Sequence, residues 1–365
     1  MPSLAIQRPA VWMSVGLGLM ACTPIAPLPS GSDRPQTTLK QVLLQRTDRQ
    51  GQLLWRLQAD QVIMRDPQVI HLQRLQGTFY HNQAAIYTLT ASQGKVYPSS
   101  EAIQLEGPIV LQDRRDRSTL HSENIQWNPH SGQLIATSGV RLDHPQVNLQ
   151  GQRLQASTQT DHVHITGQVV VYAPEHQLQL QTQQLTWWAR QRKVQAHSGA
   201  QTAVKLVSTS ERTWQEAEAQ WVEIHLPTQQ VILQQAVQMK FTQANIQLRS
   251  AKVVGDLVRQ QWHSPEGIQI RYQDMTATAV QGWLDRSQTL QLQDQVQLQG
   301  LPNQAHLNCQ RLTWNLATQD LKAQGNLVYQ QATPQIKLTG ASALGNLQHQ
   351  TLAIQDGETV AEILP

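Results

Sequence analysis

Glycines recur through this chain at a nearly constant interval. Gly77, Gly107, Gly139, Gly167 and Gly199 stand 30, 32, 28 and 32 residues apart, and Gly267, Gly325 and Gly357 resume the series after gaps of 68, 58 and 32. Several open the same phrase: Gly107-Pro108-Ile109-Val110-Leu111, Gly139-Val140-Arg141-Leu142, Gly167-Gln168-Val169-Val170-Val171. A period of roughly 20–50 residues marks a stacked repeat. Such a stack offers a long continuous surface, not one catalytic cleft.

One repeat is legible between Ile125 and Leu142. Ile125 and Trp127 alternate with polar residues, and Asn128-Pro129-His130-Ser131-Gly132 is turn chemistry. Leu134, Ala136, Ser138, Val140 and Leu142 then alternate with outward positions. Period two is the signal of a strand with one buried face. The unit reads as two short antiparallel strands and a turn. Trp127, Trp187, Trp221, Trp283 and Trp314 mark the same part of successive units. No segment after residue 40 keeps a 3.6-residue apolar period, so the predicted fold class is all-β with almost no helix. About ten such units shared between two sheets, at about 4.8 Å per strand, predict a body of roughly 50 Å. The glycine series lapses around Ser208–Trp214, where a soft boundary is expected.

The first thirty residues are of another kind. Arg8 precedes an apolar run from Ala10 to Ala21, the length of a signal-peptide core and short for a membrane span. It ends Leu19-Met20-Ala21-Cys22, which resembles a bacterial lipobox and makes Cys22 the expected lipidation site; the alternative is a plain signal peptide or an uncleaved anchor. The Pro- and Ser-rich stretch that follows reads as a tether. Export leaves Cys309 as the remaining thiol, and its inward phase with Leu307 predicts a buried, inert cysteine.

Charged residues make up 15% of the chain and the net charge is +3, so there is no basic stripe for nucleic acid. Arg114-Arg115-Asp116-Arg117 reads as a solvated turn, with Asp113 and Asp116 as ion-pair partners. His162-x-His164 lacks further ligands and reads as a solvent-facing pair. No phosphate loop, nucleophile elbow or zinc-protease motif is present. No catalytic residue, metal site or cofactor is expected. The inward residues are mostly Leu, Val, Ile and Ala. Such a lining suits acyl chains in a lengthwise groove and suits a closed dry core equally well. An open stack also leaves two end strands able to pair with other chains.

Gly51-Gln52-Leu53-Leu54-Trp55-Arg56-Leu57-Gln58-Ala59-Asp60 resembles the opening of the LptC family of periplasmic lipopolysaccharide export proteins. Leu75-Gln76-Gly77-Thr78-Phe79-Tyr80, Leu89 to Val96, Ile103 to Val110 and Leu120 to Trp127 continue the likeness across residues 39–200. Residues 200–365 resemble, more loosely, the OstA-like repeats of LptA. The resemblance implies a long, open, twisted β-jellyroll (a β-taco) of two antiparallel sheets. It also implies a non-catalytic conduit that takes lipopolysaccharide from an inner-membrane ABC transporter. Acyl chains would lie inside the groove. Delivery would go to an LptA-like bridge or an outer-membrane translocon through edge-to-edge strand contacts. The expected division is 1–21 signal peptide, 22–38 tether, 39–207 LptC-like and 208–365 OstA/LptA-like, in a periplasmic protein lipid-anchored at the inner membrane. Family members carry a transmembrane helix and are about half this length; the added repeats are expected to replace part of a separate bridge protein.

The groove candidates are the inward-phase residues Trp55, Leu57, Phe79, Leu89, Ile103, Leu105, Ile109, Leu111, Ile125, Trp127, Leu134, Val140, Val169 and Val171. The expected partner edges are Leu39, Val42 and Leu44 at one end and Leu352, Ile354 and Ile363 at the other. The competing expectation is a structural or interaction lipoprotein of the envelope with a closed core. A lipid-modifying enzyme is a third and lesser reading, lacking a polar cluster.

Overall fold

Alternating inward residues produce long antiparallel strands, and nearly all of the chain is spent on them. The structure is a computed structural model. It describes residues 37–363 except 49, 67, 82, 129–130, 158–161, 189, 200–201, 209–214, 242–244, 302–303 and 356–359, with no side-chain description for 176 and 360–363. The signal peptide, Cys22 and the tether up to residue 36 lie outside the described residues, as do residues 209–214 of the expected boundary; Thr37 and Thr38, expected in the tether, already belong to the first strand.

The strands are β1 (Thr37–Thr47), β2 (Leu53–Asp66), β3 (Val69–His81), β4 (Ala84–Tyr97), β5 (Ala102–Asp113), β6 (Thr119–Asn128), β7 (Gln133–His144), β8 (Val147–Ser157) and β9 (His162–Ala173). There follow β10 (Leu178–Trp188), β11 (Lys193–His197), β12 (Val204–Ser208), β13 (Glu216–Ala219), β14 (Trp221–His225), β15 (Gln230–Phe241), β16 (Ile246–Asp256), β17 (Gln261–Ser264) and β18 (Ile268–Tyr272). The series ends with β19 (Met275–Ala279), β20 (Gln281–Leu284), β21 (Thr289–Leu301), β22 (Ala305–Asn315), β23 (Asp320–Gln331), β24 (Ile336–Asn346), β25 (Thr351–Gln355) and β26 (Val360–Ile363). Pro174–His176 form a 3-10 turn. The pairings are antiparallel, and hydrogen bonding joins all 26 strands.

Most strands are longer than the two short strands read from the repeat, because each bends at its middle and contributes to two layers. The junction at β10 makes this plain. Leu178–Gln181 pair with β12, while Gln184–Trp188 pair with β11. β16 is likewise shared by β18 and β17. The first layer holds Leu111, Leu120 and Leu142; the second holds Ile103, Trp127 and Leu134. Rings meet across the space between layers: Phe79 on Trp127 at 3.9 Å, His144 on Trp187 at 5.2 Å and Tyr272 on Trp314 at 5.2 Å between centroids. One cluster of buried residues runs from Trp55 to Ala343.

This arrangement corrects the expected length. Strands that serve both layers give each layer roughly twenty steps of about 4.8 Å, or about 95 Å along the ladder rather than 50 Å.

The corner is where four glycines of the series, Gly107, Gly139, Gly167 and Gly325, act, while Gly77 lies in unbroken ladder. In β5, Gly107-Pro108 oppose Ser92 alone, a bulge that turns the strand from one layer to the other. Gly107 has φ +85°, and a Cβ there would lie 2.9 Å from Ser92 Cβ, so glycine is the residue that fits. Ser138-Gly139, Gly167-Gln168 and Gly325-Asn326 are the equivalent bulges. In the lapses of the series the bulges persist without glycine. Gln235-Ala236 oppose Ala251, and Asp294-Gln295 oppose Gln310, all four with positive φ. Strands facing a bulge take a three-residue inward step, sealed by a side chain that donates to the carbonyl two residues on. Ser122 Oγ donates to Asn124 O at 3.0 Å, Thr182 Oγ1 to Gln184 O at 3.1 Å and Cys309 Sγ to Arg311 O at 3.2 Å. Cys309 thus stands in a row of corner hydroxyls.

Residues from Thr37 onward form one compact unit. The ladder passes from β12 to β13 and from β11 to β14, so pairing continues on both sides of residues 209–214.

Candidate functional site

Away from the corner, near the turns, the two layers part. Between them lie two spaces open to solvent, with cavity volumes of about 170 Å³ and about 160 Å³. In the first, Tyr87, Leu111, Leu120 and Leu142 of the first layer face Trp127, Leu134, Leu154, Val163 and Trp187 of the second. Asp113, Arg115, Asp116, His162 and Arg190 form its rim. In the second, Leu149, Val171, Ala173, Leu178, Leu180 and Leu206 face Leu185, Trp187, Val194, Ile224, Leu226 and Leu257. Gln146, Glu175, Arg192 and Gln229 complete it. Trp187 lines both spaces and stands between them. The second space draws on residues before and after 208.

The walls dictate what fits. They are aliphatic and indole surfaces with few polar atoms, and a guest gains about 0.8 kcal/mol per methylene buried. About ten methylenes inserted into such a slot gain on the order of 8 kcal/mol before ordering costs. Tyr87 keeps its hydroxyl at the rim, where Arg115 Nη2 donates to it at 2.6 Å. Burial raises the Tyr87 pKa despite that cation. Arg115 also donates from Nε to Asp113 Oδ1 at 3.0 Å, a bond that raises its pKa further. The arginine-rich turn is therefore a turn, as expected, and additionally a tied rim of the first space. Burial lowers the pKa of His144, whose ring sits against Trp187.

The other singled-out residues sit as follows. His164 Nδ1 lies 3.0 Å from Thr186 Oγ1, and His162 is on the rim. No group of three metal-ligating side chains occurs among the described residues. Cys309 is buried, and burial pushes its thiol pKa up to about 11.

Of the groove candidates, Leu111, Trp127 and Leu134 line the first space and Val171 the second. Trp55, Leu57, Phe79, Leu89, Ile103, Leu105, Ile109, Ile125, Val140 and Val169 are buried in the filled interior. The inward phase is shared by both groups, so alternation alone did not separate them. Tyr87, Trp187, Val194, Ile224 and Leu257 were missed as lining residues. The usable signal is position: the last inward residues before a turn lie at the mouth.

β1 pairs with β2 along one side only, with Leu39 exposed and Val42 and Leu44 half-buried. At the other end β25 and β26 each pair with β24 alone, carrying half-buried Leu352 and Ile354 on β25, while Ile363 of β26 is opposite Ile336. No helix among the described residues is long and apolar enough to cross a membrane.

Comparison with known proteins gives one family match. Residues 10–173 match the family described as lipopolysaccharide-assembly, LptC-related. Curated proteins give no match to the chain. Among solved structures, LptH of Pseudomonas aeruginosa is described as the LptA-homologous periplasmic component of the lipopolysaccharide transport device. It aligns at 11% identity with a TM-score of 0.19, covering 42% of this chain and 85% of that one. Residues 10–173, somewhat under half of the chain, are thus similar to LptC-related lipopolysaccharide-assembly proteins.

Proposed function

We propose that this protein is a non-catalytic periplasmic carrier of lipopolysaccharide, holding acyl chains between its layers with the saccharide outside. The observation that carries this reading is the overlap of the open aliphatic slot, beginning at Tyr87, with the LptC-related region. In this reading β1, with Leu39, Val42 and Leu44, faces the inner-membrane ABC transporter. β25 and β26, with Leu352, Ile354 and Ile363, face an LptA-like bridge or an outer-membrane translocon. Free strand edges favour such contacts because they present unpaired backbone groups. Residues 39–207 act as the receiving part, and 208–365 take over part of the bridge. Leu19-Met20-Ala21-Cys22 supports a lipid anchor at Cys22 on the inner membrane.

The test is photo-crosslinking in cells with p-benzoylphenylalanine at Val163 and Ile224, which line the slot, and at outward-facing Val110. Lipopolysaccharide adducts at the first two and not at Val110 are expected. Absence of adducts at both slot sites, or equal adducts at Val110, overturns the reading. The alternative, a structural envelope lipoprotein with a closed core, draws on the fully buried side chains of the distal strands, such as Trp314 and Leu290.

A further inference from the structure

The two halves of the ladder use the same pair of rings differently. Tyr87 meets Trp127 edge-on at 84°, and Tyr272 meets Trp314 edge-on at 84°. The first pair lines the open slot. Around the second the tryptophans are more fully shut off from solvent: Trp314 is 1% exposed and Trp262 2%, against 7% for Trp127 and 8% for Trp187. At the corner the layers meet alike in both halves: a Cβ on Gly282 would lie 2.7 Å from Ile268 Cδ1, and one on Gly151 2.6 Å from Ile165 Cγ2.

Leucines stand at turns of the second layer on both sides of this change: Leu226 and Leu257 border the second space, and Leu316 and Leu347 lie beyond it, while the turn after Leu284 starts with Asp285. Leu226, Leu257, Leu316 and Leu347 each follow the last residue of a strand. Each N–H donates to a carbonyl of an earlier turn: to Arg192, Gln229, Gln288 and Gln319 respectively, at 2.9–3.0 Å. Leu257 and Leu316 are buried, so these turns put an apolar side chain into the mouth. The second-layer turn before β5 starts with Pro98 instead.

We propose that the acyl-holding compartment ends at Leu257, and that β17 to β26 form a closed spacer from which turn leucines exclude acyl chains. The spacer takes over only the spanning part of a bridge: it sets the distance between compartment and far edge, which docks a partner without passing acyl chains, and cargo enters and leaves sideways through the mouth between Tyr87 and Leu257. This rests on the lipopolysaccharide-carrier reading, and its test separates the two.

The full chain is expressed in cells making lipopolysaccharide, with p-benzoylphenylalanine replacing Tyr87 or Tyr272, both half-buried rings against a tryptophan. A lipopolysaccharide adduct at position 87 and one at least tenfold weaker at 272 are expected. Equal adducts at both overturn the closed spacer and leave the carrier reading standing. No adduct at 87 overturns both. In a Leu257→Ala/Leu316→Ala background that still resists proteolysis, the adduct at 272 should rise at least fivefold; no rise refutes exclusion by the leucines.

Discussion

Truncating Trp187 and Trp314 to alanine should have unequal costs, although both are inward tryptophans near the ends of second-layer strands. A buried Trp→Ala change costs about 3–5 kcal/mol, depending on how far a new void is left unfilled. Trp187 faces open space on two sides, so its removal joins existing spaces and creates no enclosed void. Its cost belongs at the lower end, about 3 kcal/mol. Trp314 is 1% exposed and packed against Tyr272, so its removal leaves a sealed void and costs about 5 kcal/mol. Neither change removes a hydrogen bond, since both indole N–H groups lack a partner. The difference, about 2 kcal/mol, corresponds to about thirtyfold in local opening. A stack of repeats opens segment by segment, so the assay is hydrogen exchange read on peptides spanning β10 and β22 in the two variants. Protection should fall about thirtyfold further around β22 in Trp314→Ala than around β10 in Trp187→Ala. Equal losses, or a greater loss at Trp187, would refute the distinction between open and filled segments.

Four further outcomes are expected. Ala236→Gly should raise stability by about 0.5–1 kcal/mol, since relief of a left-handed backbone, about 1–2 kcal/mol, outweighs glycine's entropy. Gly107→Ala should lower it by a similar or larger amount, both read from urea midpoints. Glu216 accepts from Lys205, which holds its carboxyl below the usual range. Its depressed pKa means its contribution to folding is full above pH about 4.5 and is lost as pH falls through the lower folded value. Glu216→Gln should flatten the acid limb of stability measured by circular dichroism. Cys309, with its thiol near 11, should resist maleimide at pH 8 in the folded chain and react on unfolding; rapid native labelling would contradict its burial.

The repeat carried most of the fold. Gly139 and Gly167 pointed to real bulges, and the alternation Leu134, Ala136, Val140, Leu142 marks one strand's inward face. The strands came out longer than the pattern indicated because the inward phase slips at each corner, by four residues from Leu105 to Ile109 and by three from Ser122 to Ile125. A slipping phase looks like a strand end. The lapses of the glycine series were not lapses of structure, since Gln235-Ala236 and Asp294-Gln295 adopt positive φ without glycine. The slot was less legible. Leu105 and Leu111 share a phase, yet Leu105 stands beside the corner and is packed, while Leu111 stands near the turn and lines open space, a difference of position that alternation does not encode. The rim role of Arg115 was invisible for the same reason, as it arises from two turns facing across the mouth.

The most direct test of the central claim is a structure of the purified full chain loaded with lipopolysaccharide. Acyl-chain density should run between the layers against Trp127, Leu134, Trp187 and Ile224, and stop at Leu257. Density only on the outer face, around Val110, or at the strand edges would contradict a cargo slot between the layers.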